Sequence, residues 1–307
     1  MITTYQLKSL KSYKWISVLF FIALLISCSD TKKGENISVN RQDKQIVKQG
    51  NRRKKLDSLN IDPKSNLKNF EKGKIENTLA MENGLIIKWL TKGSGEKIKK
   101  GEVVLLEYRL ALPDGRIIDG NQRIKMPFIP FMVGYNMQTK GWDLALCEMK
   151  VGDFVKVEIP ADLARGEKGI PGVIPPNTAN WLYLKVRARV TPEYNEGGVQ
   201  VWTLMRGEKS DADQTMNKEI QYHAIVSTAS NPSVMNTYAA HFPLKYAPGQ
   251  KNVIPGLRKT LNNAKKGEKI FVLVDAKQAY GSRGYVNLIK PNESVFFNLT
   301  IKDVRPI

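Results

Sequence analysis

One pattern occurs twice in this chain, and it limits the possible folds more than any other feature. Residues 141–153 read GWDLALCEMKVGD, and residues 256–268 read GLRKTLNNAKKGE, 115 residues further on. Glycines and apolar residues fall at the same places in both stretches. The same offset joins Gly166 to Gly281, Ile174 to Ile289 and Asn177 to Asn292. A repeat of roughly 100 residues is too long for a solenoid, so two copies of one domain are predicted.

Each copy has the pattern of one short helix among several strands. In the first copy an apolar face recurs at helical spacing at Trp142, Ala145, Leu146 and Met149. Gly152 follows as a helix terminator. The runs EVVLLEYRLALPDGRIID and FVKVEIP are rich in strand-forming residues and turn signals. A helix segregated from strands indicates an α+β fold, here two domains that each wrap an antiparallel sheet around one short helix.

The N-terminal segment has the pattern of a lipoprotein signal peptide, predicted over 1–27. A basic stretch that ends at Lys14 precedes an apolar run, Trp15 to Ile26, that is shorter than the ~20 residues needed to span a bilayer. The run ends in LISC, which resembles a bacterial lipobox and predicts lipidation at Cys28. The alternative is an uncleaved signal anchor. Lipidation predicts a membrane-anchored protein of the cell envelope, on the periplasmic side or at the outer membrane of a Gram-negative bacterium.

The remaining chain divides into three predicted segments. Residues 28–80 are polar, basic and without a sustained apolar period, so we predict a flexible tether. The repeated domains are predicted at 81–192 and 193–307, joined near the Pro/Gly-rich stretch 191–198. The formal charge of +19 suggests a nucleic-acid partner. An exported, anchored protein argues against one, and leaves anionic lipid, polysaccharide or acidic protein surfaces open.

Cysteine and histidine are too few to indicate a metal site. Beside Cys28 the chain has one cysteine, Cys147, which falls in the helical apolar pattern and is predicted as a small core residue. The histidines are His223 and His241, with no cluster of ligand residues in sequence near either. We therefore predict no metal and no cofactor.

The motifs of the first copy resemble the FK506-binding-protein type of peptidyl-prolyl cis-trans isomerase. The resemblance rests on VLLEY, DGRIID, PFMVG, KGWDLALCEMKVGD, IPADLARG and GVIPPN, in that order across most of 84–190. The second copy is similar to the same family over about 200–305, more faintly, through PLKY, VIPGL, KKGEK and AYG. Tandem isomerase lipoproteins of gliding Bacteroidota have a similar arrangement. The resemblance implies isomerisation of X–Pro bonds in exported polypeptides, which needs an apolar pocket and no reactive group.

The resemblance also implies pocket residues in the first copy. Those matching the family's catalytic pattern are Tyr108, Asp119, Trp142 and Ile174. Predicted substrate contacts, several of which depart from the usual aromatics, are Ile118, Ile129, Thr139, Arg165 and Leu182. Thr139 would offer its backbone N–H to a substrate carbonyl. Arg165 replaces the usual tyrosine and is interpreted either as a solvated loop residue or as a replacement donor.

The second copy keeps a different part of the pocket, namely Ile254, Tyr280, Ile289 and Phe297. Leu257 stands where the first copy has tryptophan, and no aspartate occurs near Val234. Tyr280 and Phe297 are alternatively core aromatics without a site. The first domain is therefore predicted as the catalyst. Two other functions stay open: a non-catalytic chaperone or partner-docking lipoprotein with eroded pockets, and a structural component of a surface or motility machine.

Overall fold

The computed structural model describes residues 73–208 and 217–307. The predicted signal peptide, Cys28 and the predicted tether up to residue 72 lie outside the described residues. Within the described part of the chain, no helix is both long and apolar enough to cross a membrane.

The first domain is an antiparallel sheet packed against one main helix. Its strands are β1 Asn77–Ala80, β2 Ile86–Thr91, β3 Val103–Ala111, β4 Ile117–Gly120, β5 Ile129–Met132, β6 Phe154–Ile159 and β7 Asn180–Val190. They are arranged β1-β2-β6-β7-β3-β4, with β5 also paired to β3. The helices are α1 Asn121–Ile124 and α2 Lys140–Glu148. Trp142, Ala145 and Leu146 of α2 lie in the buried core, as the apolar pattern predicted.

The second domain repeats this topology. Its strands are β8 Tyr194–Glu196, β9 Val199–Met205, β10 Lys218–Thr228, β11 Met235–Asn236, β12 Leu244–Tyr246, β13 Lys269–Val274 and β14 Val295–Pro306. They are arranged β11-β10-β14-β13-β9-β8, with β12 paired to β10. The helix α3, Pro255–Asn262, begins 115 residues after α2, and β13 begins 115 residues after β6. The structure thus confirms the repeat and the α+β fold.

Two details differ from the sequence-based prediction. Strand β1 lies inside 28–80, the segment predicted as a tether, because a turn at Gly84 lets Asn77–Ala80 pair with β2. Similarly, the predicted linker 191–198 contains strand β8. Gly197 and Gly198 both have positive φ, and their turn pairs β8 with β9. Short polar edge strands carry little apolar signal, so both were assigned to connecting segments.

The two sheets differ on their outer faces. In β6, Lys156 and Glu158 point away from the core and form an ion pair 3.2 Å long. The corresponding residues of β13 are Phe271 and Leu273, which are almost fully buried. Strand β13 is therefore apolar on both faces. Its outer face packs against the first domain in a cluster formed by Val103, Met132, Tyr135, Trp202, Phe271, Leu273 and Phe296, which we call the interdomain cluster.

Candidate functional site

Tyr108, which is buried, and Asp119, which is partly buried, form a polar pair in the first domain. The Tyr108 hydroxyl on β3 donates a hydrogen bond to Oδ2 of Asp119 on β4, with an O–O distance of 3.1 Å. The Tyr108 backbone N–H donates to Oδ1 of Asn121 in α1, at 2.5 Å. Strand β4 and the short helix α1 therefore hold the pair in register against β3.

The local environment raises the pKa of both groups. Burial is the main reason that the pKa of the Asp119 carboxyl is raised, since desolvation disfavours its charged form. Hydrogen bonds from Gly120 and Tyr108, and the charge of Arg123, oppose that shift. Burial, and then the neighbouring Asp119 carboxylate, raise the pKa of Tyr108. The tyrosine thus stays protonated and remains a hydrogen-bond donor.

Trp142, in the first turn of α2, lies beside this pair. Its ring makes an edge-to-face contact with Tyr108 at a centroid distance of 5.2 Å. On another side Phe131 of β5 stacks on it, with centroids 5.8 Å apart and planes 12° from parallel. Aromatic packing of this kind fixes a side chain's orientation. The indole therefore forms a rigid apolar surface next to a polar pair.

These residues line one pocket, together with side chains from the loops on either side. The lining consists of Tyr108, Leu110, Ile118, Asp119, Arg123, Gln138, Trp142, Arg165, Ile170, Val173 and Ile174. The structure thus brings together the four residues predicted as catalytic with Ile118 and Arg165. The pocket is mostly apolar and has a few polar groups at its edge, a composition typical of small ligand sites.

Arg165 points into the pocket and is not a solvated loop residue. Its Nη2 donates to Oε1 of Gln138 at 3.2 Å. Burial lowers the pKa of the guanidinium to about 10, so it stays charged at neutral pH. Arg165 therefore places several N–H donors at the pocket.

Three predicted contacts do not line the pocket. Ile129 and Leu182 are buried in the core of the first domain. Ile129 lies two residues before Phe131, and Phe131 is the aromatic residue that contacts Trp142. Thr139 is the N-cap residue of α2, in an extended conformation, and its carbonyl accepts from the Trp142 N–H at 3.0 Å. The positions of Ile129 and Leu182 on their strands did not distinguish a side chain in the core from one that lines the pocket.

Five lining residues were not predicted: Leu110, Arg123, Gln138, Ile170 and Val173. Leu110 was detectable in principle, because it lies two residues after Tyr108 on the same face of β3. Ile170 and Val173 are apolar residues of the Gly/Pro loop that ends at Ile174. Arg123 is carried by α1, for which no helix was predicted. No sequence signal identified Gln138.

The second domain lacks the three central residues of this pocket. Tyr108 on β3 pairs with Leu184 on β7. The residue 115 positions after Leu184 is Leu299, which pairs with Ala224, so Ala224 corresponds to Tyr108. By the same comparison of strand pairs, Met235 takes the place of Asp119. The position of Trp142 in the helix is taken by Leu257. The polar pair and its indole are thus replaced by apolar side chains.

The four residues predicted for a second pocket are close to the second core. Ile289 and Phe297 are buried in it, and Ile254 and Tyr280 pack against it partly exposed. The Tyr280 ring also contacts Tyr285, with centroids 4.9 Å apart. These four residues thus lie in or against the second core, and none of them supplies a carboxylate or an indole.

Metal-binding residues do not cluster in the part of the chain that the structure describes. No group of three or more His, Cys, Asp or Glu side chains within residues 73–208 and 217–307 has the arrangement to hold an ion. His223 stacks on Tyr238 at 4.2 Å, and its Nδ1 lies 3.0 Å from Thr237 Oγ1. Cys147 is half-buried against the first core.

Comparisons with known proteins place both domains in one family. The sequence model of the FKBP-type peptidyl-prolyl cis-trans isomerases matches residues 94–188 and 211–302, more than half of the chain. FK506-binding protein 4 of Rhizopus delemar is 41% identical over 97 residues, which are 32% of this chain and 25% of that protein. FK506-binding protein 1 of Candida glabrata is 34% identical over 98 residues, 32% of this chain and 85% of that protein.

One solved structure aligns with much of this chain. The three FKBP domains of wheat FKBP73 align with 73% of this chain and 96% of that chain, at 21% identity and a TM-score of 0.36. The chain spans only about a quarter of the length of several curated relatives, including FK506-binding protein 4.

The fold and the pocket define a class of protein, namely antiparallel-sheet domains with an apolar pocket between the sheet and one short helix. Within that class, the chain belongs to the FKBP-type peptidyl-prolyl cis-trans isomerase family, and both of its domains carry the family fold.

Proposed function

We propose that the first domain catalyses cis-trans isomerisation of X–Pro bonds in exported polypeptides. The observation that carries this proposal is the pocket in which the Trp142 indole lies beside the hydrogen-bonded Tyr108–Asp119 pair. Membership of the family supports isomerase chemistry in general. The pocket supports the choice of the first domain, because the second has Leu257, Ala224 and Met235 at the corresponding places.

The chemistry requires little more than such a pocket. An X–Pro bond rotates over a barrier of ~18–20 kcal/mol, because amide resonance is lost on the way. Uncatalysed, the reaction takes tens to hundreds of seconds. The twisted amide has less charge separation than the planar one, so an apolar surface favours it over the ground state. Trp142 and Ile174 would receive the proline ring.

Hydrogen-bond donors at the pocket would hold the substrate's carbonyl groups. The Arg165 guanidinium, which lines the pocket and carries several N–H groups, is a suitable donor. A bound peptide with its carbonyls held on either side of the X–Pro bond is restricted to geometries close to the twisted state. Asp119 would orient the tyrosine hydroxyl through their hydrogen bond.

A proline-peptide assay tests the proposal. Protein without residues 1–27 is added to a peptide whose cis X–Pro bonds are followed by protease-coupled absorbance or NMR exchange. We expect faster interconversion that is proportional to protein concentration. Absence of acceleration, in protein with a folded circular dichroism spectrum, would exclude the enzymatic function.

Asp119→Asn gives a sharper version of this test. It keeps the shape of the side chain and removes its charge, and we expect kcat/KM to fall several-fold. Asp114→Asn is the matched control, because Asp114 is an exposed carboxylate in the preceding turn. Equal activity of both variants would remove Asp119 from the site. Loss of activity in Tyr280→Ala, with Asp119→Asn active, would move catalysis to the second domain.

We further propose that the protein acts in the cell envelope, anchored by lipid at Cys28. The apolar run and the LISC sequence support this location. Metabolic labelling with an alkyne fatty acid should mark the full-length protein and fail in Cys28→Ala. Cys147→Ala serves as the matched control and should label normally. Label that persists in Cys28→Ala would contradict the anchor.

A binding function of the second domain is the other candidate. One observation favours it: the loop that corresponds to Ile170–Ile174 exposes Tyr285, Val286 and Leu288 to solvent. Exposed apolar groups next to each other suit contact with unfolded chains. Val286→Asp should then weaken suppression of aggregation of a reduced model substrate and leave isomerase activity unchanged. An unaltered suppression would argue against this use of the loop.

A further inference from the structure

The two domains share a buried apolar interface. Phe271 and Phe296 of the second sheet contact each other edge-to-face at 5.0 Å, and Phe296 lies 6.2 Å from Tyr135 of the first domain. Trp202 packs in the same cluster, and its Nε1 donates to the Val190 carbonyl at 2.8 Å. A close-packed interface with a satisfied indole N–H holds the domains in a defined arrangement.

The interface depends on the side chains that occupy the outer face of the second domain's sheet. The residue pair Lys88 and Lys156 faces outward on β2 and β6, whereas the corresponding pair on β9 and β13 is Trp202 and Phe271. Charged residues suit a face in water, and aromatic residues suit a covered one. The second sheet is thus adapted to being covered by the first domain.

The segment that the second domain contacts is the loop 133–139 between β5 and α2, which we call the pocket loop. Ser227 Oγ donates to the Tyr135 carbonyl at 2.5 Å. Asn136 Nδ2 donates to the carbonyls of Thr228 and Ala229, at 2.8 and 3.1 Å. Ser227 and Thr228 are buried, so these bonds are shielded from competing water.

The first domain contacts the same loop from the opposite side. Asp143 of α2 accepts hydrogen bonds from the backbone N–H groups of Gly134 and Asn136, at 2.7 and 2.8 Å. Asn136 has a φ of 57°, in the left-handed region. In that conformation its backbone N–H donates a hydrogen bond to Asp143 of the helix, while its side-chain amide donates to carbonyls of the second domain. Asn136 therefore links α2, the pocket loop and the second sheet.

The pocket loop ends at the pocket itself. Gln138 lines it and accepts from Arg165, and Thr139 begins the helix that carries Trp142. A loop free to move would present these groups in many orientations, and ordering them on substrate binding would cost free energy. Contacts that order the loop beforehand reduce that cost.

We propose that the second domain is a positioning element for the first domain's pocket, with Asn136 and Ser227 as the positioning residues. The inference rests on the proposed isomerase function of that pocket. The second domain acts on substrate binding without touching substrate, by holding the pocket loop from behind. Its degenerate pocket is consistent with selection for this interface rather than for catalysis.

Two substitutions in the full chain test the inference. Asn136→Gly removes the amide and tolerates the positive φ, whereas Ser227→Ala removes the hydroxyl from the other domain. We expect each to raise KM for a proline peptide about fivefold and to leave kcat within twofold, because binding geometry is lost and the pocket surface is kept. Asn292→Gly is the matched control, since Asn292 is exposed and has a φ of 59°.

Hydrogen exchange gives a readout that does not depend on activity. Mass spectrometry of a peptide that covers 133–139 should show faster exchange in Asn136→Gly and Ser227→Ala than in wild type or Asn292→Gly. Titration with the same proline peptide should show a Kd raised about fivefold. The two readouts separate the order of the loop from the isomerase chemistry.

The outcomes are distinguishable. A wild-type protein that binds the peptide without isomerising it contradicts the proposed function, while a raised Kd in both variants still supports the positioning role. Unchanged exchange of 133–139, or faster exchange with unchanged KM and Kd, overturns the positioning role and leaves the isomerase function intact. Wild-type protein that neither binds nor isomerises the peptide overturns both.

Discussion

The helices α2 and α3 hold their preceding loops through opposite charges at one equivalent position. In the first domain this position is Asp143, which accepts from the N–H groups of Gly134 and Asn136. In the second it is Arg258, which donates to the carbonyls of Lys251 and Val253, at 3.0 and 2.7 Å. A carboxylate bonds N–H groups and a guanidinium bonds carbonyls, so each loop presents different backbone groups to its helix.

This difference between the two helix positions shows which features the two copies of the domain share and which they do not. Both domains require a loop fastened to the helix, but each can meet that requirement with either charge. The first loop continues into a pocket with an indole and a polar pair, whereas the outer face of the second sheet packs against the other domain. One copy thus kept the site, and the other acquired an interface.

The largest expected effect comes from giving β13 the outer charges of β6. Phe271→Lys with Leu273→Glu places both charges in the interdomain cluster, and we expect a loss of stability of roughly 3–5 kcal/mol or separation of the domains. Urea denaturation and small-angle X-ray scattering would measure these. The reverse pair, Lys156→Phe with Glu158→Leu on the first sheet, is the control and should change stability little. A stable, compact double variant would remove the interface from the comparison.

The next effect concerns pH, since the helix position of the first domain is a buried carboxylate. Burial raises the pKa of Asp143 to about 6, although bonds from Gly134 and Asn136 and the charge of Lys100 oppose the shift. A raised native pKa means that the folded state binds a proton first. Stability therefore increases as pH falls from about 7 towards 4, by roughly 2–4 kcal/mol, and then levels off.

Asp143→Asn isolates this contribution from the other titrating groups. The difference in unfolding free energy between wild type and variant should rise as pH falls through 6. Asp114→Asn, at an exposed carboxylate, is the control for removing a charge. A difference that falls instead would mean that hydrogen bonding to the carboxylate outweighs its desolvation.

A smaller effect is expected when the indole is exchanged for its counterpart. Trp142→Leu copies the second domain, and we expect kcat/KM to fall about tenfold, equivalent to about 1.4 kcal/mol. Trp181→Leu, on the outer face of β7, is the control for loss of a tryptophan. Full activity of Trp142→Leu would show that the absence of an indole does not explain the loss of a site in the second domain.

The smallest effect is expected at Arg165, where the second domain has Tyr280. Arg165→Tyr replaces one donor with another, so kcat/KM should fall no more than about threefold. Arg283→Tyr changes an exposed arginine of the second domain and should have no effect. A larger loss at Arg165 would give the guanidinium a role that a hydroxyl does not fill.

The sequence was most informative where local physics decides the structure. The α2 helix was predictable because its apolar face is a local signal, and the constant offset carried the prediction to α3. Its end was predicted wrongly, because the helix ends at Glu148 with Met149 as its C-cap, and Gly152, with a φ of 96°, lies in the turn before β6. The interface was not predicted, although residues 270–274 of β13 are apolar at consecutive positions, as expected of a strand covered on both faces. Identifying what covers the outer face of this strand requires the position of the first domain.

The site shows the same division. Tyr108, Asp119 and Trp142 were predicted together through the family pattern, and the structure brings them together in the pocket. Ile129 and Leu182 were assigned to the pocket through the same family pattern, and both lie in the core of the first domain. Gln138 and Asn136 were missed because their importance depends on contacts from distant parts of the chain, which no local pattern records.

The doubly covered strand β13 has a consequence for biosynthesis. Domains generally fold as units during synthesis, and the N-terminal one folds first. Here the first domain can be complete before Phe271, Leu273 and Phe296 leave the ribosome, so its surface is ready to cover them. A chain with the two copies in reverse order would expose that aromatic face until its partner was made. The order of the copies along the chain thus protects the second from aggregation.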